Sequence, residues 1–123
     1  MILAIIQARM GSSRLPGKVL LDLAGRPVLW HAVSRVRKAR LVDQVLVATT
    51  DQPSDEPIRQ FCALQAVSCF GGNEQDVLDR FVQAARFAGA TESDAIVRIT
   101  ADCPLIDPAV IDRVVAAYRQ TGT

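Results

Sequence analysis

Short apolar runs alternate with amphipathic segments along the chain, and this alternation predicts strands and helices in turn. The apolar runs have the length and the branched residues of strands that are covered on both faces. These strand candidates are 2–6, 44–49, 67–70 and 95–99. Apolar residues recur at helical spacing after each run. The helix candidates are 27–40, 54–65, 73–89 and 107 to about 118.

The resulting order βαβαβαβα predicts an α/β fold. Helices between short apolar strands require right-handed crossovers, which give a mainly parallel sheet between two helix layers, a three-layer αβα sandwich. We expect the strand order 3-2-1-4. Beside the first strand, the order in which successive strands are added to the sheet reverses. The fourth strand would then lie at an edge although its sequence, AIVRI, is apolar. An apolar edge invites association, so we expect either a piece of a longer protein or pairing with another copy.

The segment between the first strand and the first helix indicates a binding site. Residues 8–27 hold three glycines, two prolines and two serines, and long loops inside compact domains are usually functional. Arg9, Arg14 and Lys18 supply cations there, next to hydroxyl groups and approachable backbone amides. The loop after the fourth strand supplies one carboxylate, Asp102. In parallel sheets the two loops meet at the reversal point. This predicts a polyphosphate held by Arg14 and Lys18, with Asp102 giving an oxygen to Mg²⁺.

Two common nucleotide-binding motifs are absent from this loop. A Walker loop has four residues where five separate Gly11 from Gly17, and it has Ser or Thr where Val19 follows Lys18. No G-x-G-x-x-G follows the first strand, which argues against a dinucleotide-binding protein. The sequence therefore lacks the phosphate loop that would distinguish a small-molecule kinase or other NTPase.

Composition and charge narrow the remaining classes. The chain has 123 residues, half of them hydrophobic, and we expect one nucleotide-binding domain over 1–123. Residues 1–40 include eight basic residues and one acidic residue, whereas residues 41–123 include six basic and twelve acidic residues. Without base-stacking aromatics this split favours a small polyphosphate over nucleic acid. No apolar stretch predicts a membrane span or a signal peptide, so we expect a cytosolic protein. Three cysteines without a C-x-x-C pair predict free, packed thiols.

Four segments of the sequence resemble a known family. They are IIQARMGSSRLPGKVLLDLAGRPVLWH, VLVATTD, DVLDRF and TADCPLIDP. In order and spacing they resemble the cytidylyltransferases that activate acidic sugars, especially the branch called spore coat polysaccharide biosynthesis protein F-like. The resemblance implies a Rossmann-like fold of the nucleotide-diphospho-sugar transferase type. Because such proteins are roughly twice as long, it also implies that this chain is the N-terminal half. The acceptor-sugar lobe, a dimerisation arm and a second metal-binding carboxylate would then lie beyond Thr123.

The resemblance also implies roles for individual residues. It makes the chain an enzyme that transfers CMP from CTP to an acidic sugar with release of pyrophosphate, for polysaccharide synthesis, and that works as a homodimer at full length. Asp102 would bind Mg²⁺, and Arg14 and Lys18 would be catalytic. The nucleotide would contact residues of the first loop, namely Ala8, Arg9, Gly11, Ser12, Ser13, Arg14 and Lys18. The alternative is a glycosyltransferase-like module that binds a nucleotide and is catalytically silent.

Some residues keep two interpretations at this point. Arg9 either contacts phosphate or pairs with Asp22. Arg80 either approaches the base, as the matching segment does in the relatives, or pairs with Asp76 one helical turn earlier. His31, the single histidine, falls inside the first predicted helix and is expected to be structural.

Overall fold

The structure is a computed structural model that describes residues 1–11, 17–91, 93–101 and 107–121. The predicted ligands Ser12, Ser13, Arg14 and Asp102, together with Cys103, lie outside the described residues. The strands are β1 (Ile2–Gln7), β2 (Asp22–Leu23), β3 (Arg26–Pro27), β4 (Gln44–Thr50), β5 (Cys69–Gly72) and β6 (Ala95–Thr100). The helices are α1 (Val28–Arg37), α2 (Glu56–Leu64), α3 (Val77–Phe87) and α4 (Pro108–Thr121), with 3₁₀ turns at Lys18–Leu20 and Pro53–Asp55.

Four strands form one parallel sheet in the order β5-β4-β1-β6. The predicted α/β class and the predicted strand order are therefore confirmed. In the centre, Ile5 pairs with Leu46 of β4 and with Arg98 of β6. Since all four strands run the same way, their carboxyl ends lie along one edge of the sheet, which we call the carboxyl edge.

The sheet separates two apolar clusters. On one face, β1 packs with α1, α2 and α4 through Ile6, Val33 and Cys62 among others. On the other face, Leu3 and Ile5 pack with α3 through Phe81. Leu3 and Ile5 are completely buried, and each such side chain contributes roughly 1.5–3 kcal/mol. The sheet and its two helix layers thus form a rigid base for the loops at the carboxyl edge.

The third strand of the sheet differs from its predicted span. β5 begins at Cys69, two residues late, and includes Gly71 and Gly72, which were expected to end it. The reason is the preceding turn: Ala66 has a positive φ of 54°, and Val67 N donates to Cys62 O at 2.8 Å, so Val67 still belongs to the helix exit.

The buried face of α3 also differs from the predicted one. The apolar spacing of the segment predicts Leu78 and Val82 in the core, but Leu78 is 75% exposed and Val82 is 39% exposed. The helix instead buries Phe81, Ala84 and a charged residue, Arg80. The apolar spacing of this helix was compatible with more than one face, and contact with β5 selects the face that carries Arg80.

Two loop predictions need a smaller correction. The long loop after β1 contains a hairpin of β2 and β3, with positive φ at Ala24 and Gly25. The helix expected over 54–65 begins at Glu56, because a 3₁₀ turn at Pro53–Asp55 precedes it and buries Asp55. The helix end predicted at Gly89 is confirmed, since Gly89 follows the last turn of α3 with φ 82°.

The outer edge of the sheet is open and apolar. Ile96 on β6 is 44% exposed and Val114 on α4 is 57% exposed, and both line a cavity of about 480 Å³ beside the strand. This agrees with an apolar strand at an edge, as the sequence predicted. Among the helices that the structure describes, none is long and apolar enough to cross a membrane.

Candidate functional site

The loops after β1 and β6 start side by side at the carboxyl edge. Gln7 pairs with Thr100 in the ladder, and Ala101 N donates to Gln7 O at 2.9 Å. Ala8 and Ala101 are 2% and 1% exposed, so both loops leave from a packed base. Asp102 is the next residue along the chain after Ala101. The predicted meeting of Arg14 and Lys18 with Asp102 stays a prediction, since two of the three lie outside the described residues.

Hydrogen bonds close the first loop at its base. Met10 O accepts from Gly17 N at 2.6 Å, and Met10 N donates to Asp55 Oδ1 at 2.8 Å. Gly17 has φ 75°, a conformation that glycine adopts without strain. The half-buried Lys18 then opens a 3₁₀ turn, and Val19 anchors that turn in the core. Met10 and Gly17, which flank the segment 11–16, are therefore hydrogen-bonded to each other, and Met10 is also bonded to Asp55.

Asp55 is a buried carboxylate with a full set of partners. It is 2% exposed, and besides Met10 N it accepts a short hydrogen bond from the Thr50 hydroxyl. Arg59 of α2 supports the same region by donating to the carbonyls of Thr50 and Gln52, the latter at 3.1 Å. The network ties the end of β4 to the loop after β1. It was not predicted from the sequence, which placed Asp55 in the first turn of a helix.

Arg80 is a buried guanidinium with incomplete hydrogen bonding. The residue is 0% exposed, and its Nη1 donates to Asn73 O at 2.8 Å and Glu74 O at 3.3 Å. Its Nε and Nη2 have no hydrogen-bond partner within the described part of the chain. Burial lowers the pKa of Arg80, the charge of Arg9 lowers it further, and Asp55 raises it.

The contacts of Arg80 and Arg9 test two ion pairs that the sequence left open, one with Asp76 and one with Asp22. Asp76 accepts from Asp79 N at 2.9 Å as the N-cap of α3, and it forms no ion pair with Arg80 in the described structure. Arg9 lies 3.7 Å from Glu74 Oε1 rather than beside Asp22. The pairings with Asp76 and Asp22 were therefore wrong. Arg9 and Arg80 instead place two guanidinium groups in electrostatic contact near the carboxyl edge.

A cavity opens at the same edge between β1, β6 and α3. Its volume is about 290 Å³, and its lining includes Gln7, Thr100 and Arg98. The Arg98 guanidinium lies 4.3 Å from the centre of the Phe81 ring, a cation–π contact. The volume is near the lower end of the range for small-molecule pockets, roughly 300–1,000 Å³.

The described residues do not by themselves form a metal centre. No group of three His, Cys, Asp or Glu side chains suited to a metal occurs among the residues described. Both oxygens of Asp55 are already bonded to protein donors. Proteins usually hold Mg²⁺ through one or two carboxylates, with substrate phosphates and water completing the shell. One carboxylate after β6, the position of Asp102, fits that donor chemistry.

The remaining predicted structural residues behave as expected where they are described. His31 lies in α1, and its Nε2 contacts Leu23 O at 2.6 Å, which makes it a hydrogen-bonded helical histidine. Cys62 and Cys69 are free thiols.

One sequence signal could have drawn attention to Arg80. Arg80 lies one helical turn before Ala84 and so shares its helix face, and it directly precedes Phe81. Helical spacing therefore puts a charged residue beside the apolar stripe. For Asp55 we find no comparable signal, because Met10, one of its two partners, lies 45 positions away in sequence.

Comparison with known proteins gives consistent matches. Residues 3–123 match the family profile of cytidylyltransferases. The spore coat polysaccharide biosynthesis protein SpsF of Bacillus subtilis is 40% identical over 126 aligned residues, which cover 99% of this chain and 51% of that protein.

Two solved structures share the fold over nearly the whole chain. A cytidylyltransferase of Leptospira borgpetersenii superposes with a TM-score of 0.89 at 34% identity, over 98% of this chain and 49% of its own. A CMP:2-keto-3-deoxy-manno-octonic acid synthetase, solved in complex with CTP, superposes with a TM-score of 0.78 at 28% identity, over 99% and 48%. The chain spans about half the length of the curated relatives it matches.

Proposed function

Because this chain belongs to the cytidylyltransferase family, we propose that it is the nucleotide-binding part of an enzyme that transfers CMP from CTP to an acidic sugar and releases pyrophosphate. The observation that carries the proposal is Arg80, whose buried Nε and Nη2 have no partner in the described structure and lie in the field of Arg9. A buried guanidinium whose printed hydrogen bonds go only to backbone carbonyls favours a bound anion.

The first loop supplies the other groups for that anion. We assign the nucleotide contacts to Ala8, Arg9, Gly11, Ser12, Ser13, Arg14 and Lys18. Met10 is bonded to Gly17 N and to Asp55, so the described residues that flank 12–16 are fixed without a ligand. Groups placed in advance do not have to reorganise during the reaction.

Nucleotidyl transfer needs positioned charge more than covalent chemistry. A sugar hydroxyl attacks the α-phosphate in line, the bond to the leaving pyrophosphate breaks, and negative charge grows on the phosphate oxygens. We assign Arg14 and Lys18 to neutralise that charge, Arg14 as a bidentate fork and Lys18 as a point charge. Removing one such group typically costs about a hundredfold in rate. Asp102 would hold Mg²⁺, which when bound supplies further positive charge to the phosphates.

A titration of the 123-residue chain with CTP, UTP, GTP and ATP, with and without Mg²⁺, tests the assignment. We expect CTP to bind most tightly and Mg²⁺ to strengthen its binding. The Asp102→Ala variant is expected to lose the contribution of Mg²⁺ while keeping metal-independent binding. If no nucleotide raises the melting temperature or gives a heat of binding, the proposal is wrong.

A second candidate function is binding without turnover. It is favoured by the share of its relatives that the chain spans, about half. We expect the 123 residues alone to release no pyrophosphate from CTP and a sugar acid. Release at a rate well above buffer would contradict this and would make the chain a complete enzyme. For the whole protein we propose a cytosolic homodimer.

A further inference from the structure

We propose that Arg98 binds the carboxylate of the acidic sugar, so that the cavity between β1, β6 and α3 receives the charged end of the acceptor. The inference deepens the proposed function and rests on it. Of the described residues that we assign to the nucleotide, none lines this cavity.

The strands place Arg98 on the same face of the sheet as the polar residues at the ends of β1 and β6. Arg98 and Thr100 are two positions apart on β6, so their side chains leave the same face. Gln7 pairs with Thr100 in the ladder and follows Ile5, which packs against α3, by two positions. All three polar residues line the cavity of about 290 Å³. The cavity therefore lies where β1 ends, directly before Ala8 and the first loop.

The ring of Phe81 restricts the Arg98 guanidinium without pairing its charge. The guanidinium carbon lies 4.3 Å from the centre of the ring, which attracts the cation but offers no oxygen acceptor to its N–H groups. Arg98 is exposed, and no ion pair joins it to a carboxylate among the residues that the structure describes. Its donors therefore remain for a ligand, and a guanidinium can bind a carboxylate through two parallel hydrogen bonds.

The proposed reaction benefits from a separate cation for the acceptor. CTP and an acidic sugar are both anions, so they repel each other when they meet in one site. We assign the phosphates to the first loop and to Arg80, whereas Arg98 lies on β6. A cation there can neutralise the sugar's carboxylate without being taken from the phosphates. The cavity also has an apolar wall at Phe81 and an amide at Gln7, a combination that suits one end of a sugar.

NMR spectroscopy of the 123-residue chain tests the contact directly. The probe is 2-keto-3-deoxy-manno-octonate, the sugar acid in the name of the synthetase that shares this fold, and its uncharged methyl ester is the control. The Nε–H signal of Arg98 is assigned by its absence in Arg98→Met. With saturating CTP and Mg²⁺, we expect the acid to shift this signal in a saturable way and the ester to leave it unchanged. The signal of Arg26, which contacts the Trp30 ring at 5.0 Å and does not line the cavity, should not move.

The outcomes distinguish this proposal from the proposed function. If CTP does not bind, the proposed function fails and the assignment of Arg98 fails with it. If CTP binds but the acid leaves the Arg98 signal unchanged, or the ester shifts it equally, only the assignment of Arg98 is wrong. A shift of the same size with CTP alone would place Arg98 at the nucleotide and would also overturn the proposal.

Substitutions measure what the guanidinium contributes, with the Thr100 amide signal as the readout of binding. In the presence of CTP, Arg98→Met should weaken binding of the acid at least tenfold, because a charge-assisted pair is lost. Arg98→Lys keeps the charge without the planar pair of donors and should recover only part of the affinity. Both variants should bind CTP within about twofold of the unchanged chain. Arg26→Met is the matched control, because it removes another exposed arginine that contacts an aromatic ring. Equal losses in Arg98→Met and Arg26→Met, or full affinity in Arg98→Met, would contradict the assignment.

Discussion

Asp55 and Arg80 are both buried charges near the carboxyl edge, but their surroundings differ. Asp55 accepts hydrogen bonds from Met10 N and the Thr50 hydroxyl, so both of its oxygens are bonded to protein donors. Arg80 has two nitrogens without a partner in the described structure, and the charge of Arg9 lowers its pKa. A buried polar group is normally hydrogen-bonded, so each exception calls for an explanation.

We interpret this difference as one of role: Asp55 stabilises the fold, and Arg80 binds a ligand. The Asp55 region is complete without a ligand, and it holds the end of β4 and the first loop in place. Under the proposed function, a bound anion supplies the acceptors that Arg80 Nε and Nη2 lack among the described residues. Substitutions should therefore separate the two regions, with stability affected at Asp55 and affinity affected at Arg80.

The largest effect is expected at Asp55. Asp55→Ala removes the acceptor of two donors in a buried place, and each unpaired donor costs about 1–3 kcal/mol. We expect the free energy of unfolding to fall by about 3 kcal/mol, measured by urea denaturation. Asp51→Ala is the matched control, because Asp51 is exposed and its carboxylate contacts only the side-chain amide of Gln52 among the described residues. A loss below about 1 kcal/mol at Asp55 would mean that the network is not structural.

Arg80→Met should give the opposite pattern. It removes a buried charge that lacks full compensation, so the unfolding free energy should stay within about 1 kcal/mol or rise. CTP affinity should fall by about a hundredfold, because charge-assisted contacts to phosphate are lost. The control Arg86→Met changes an exposed residue of the same helix and should leave affinity unchanged. If Arg80→Met binds CTP within threefold of the unchanged chain, Arg80 is not a ligand.

The same contrast explains what the sequence could predict. Strand order and helix layers followed from runs of apolar residues, because burial on both faces needs only local composition and spacing. The hydrogen bond from Met10 N to Asp55 joins residues 45 positions apart, so no local pattern reports it. On α3, the apolar residues allowed two buried faces, and the choice depended on contact with β5. Local patterns therefore predicted the architecture, while the polar contacts across loops had to come from the structure.

Gly72 connects the two regions and offers a test of intermediate size. A Cβ at this position would lie 2.8 Å from Phe70 Cε2 and 3.0 Å from Arg80 Cγ, so Gly72→Ala pushes the arginine stem out of its place. We expect a loss of about 1–3 kcal/mol in unfolding free energy, together with weaker CTP binding. Gly11→Ala is the stability control, since no atom lies within 4 Å of a Cβ there. Unchanged stability and affinity in Gly72→Ala would show that Arg80 can move freely.

The smallest effect is expected at Glu74, which pairs with Arg9, a residue that we assign to the nucleotide. Its carboxylate is 3.7 Å from Arg9 Nη2 and its side chain is 44% exposed, so the ion pair contributes little to stability, roughly 0.2–1 kcal/mol. Glu74→Gln removes this competitor, and CTP affinity should rise by about twofold at low ionic strength. The gain should fade at high salt, because exposed charges are screened there. Asp51→Asn removes an equal charge from an exposed carboxylate that makes no ion pair with a described residue, so a general field effect would raise affinity equally in both variants. A gain confined to Glu74→Gln would place the phosphate beside Arg9, because only a ligand at that guanidinium competes with Glu74 for it.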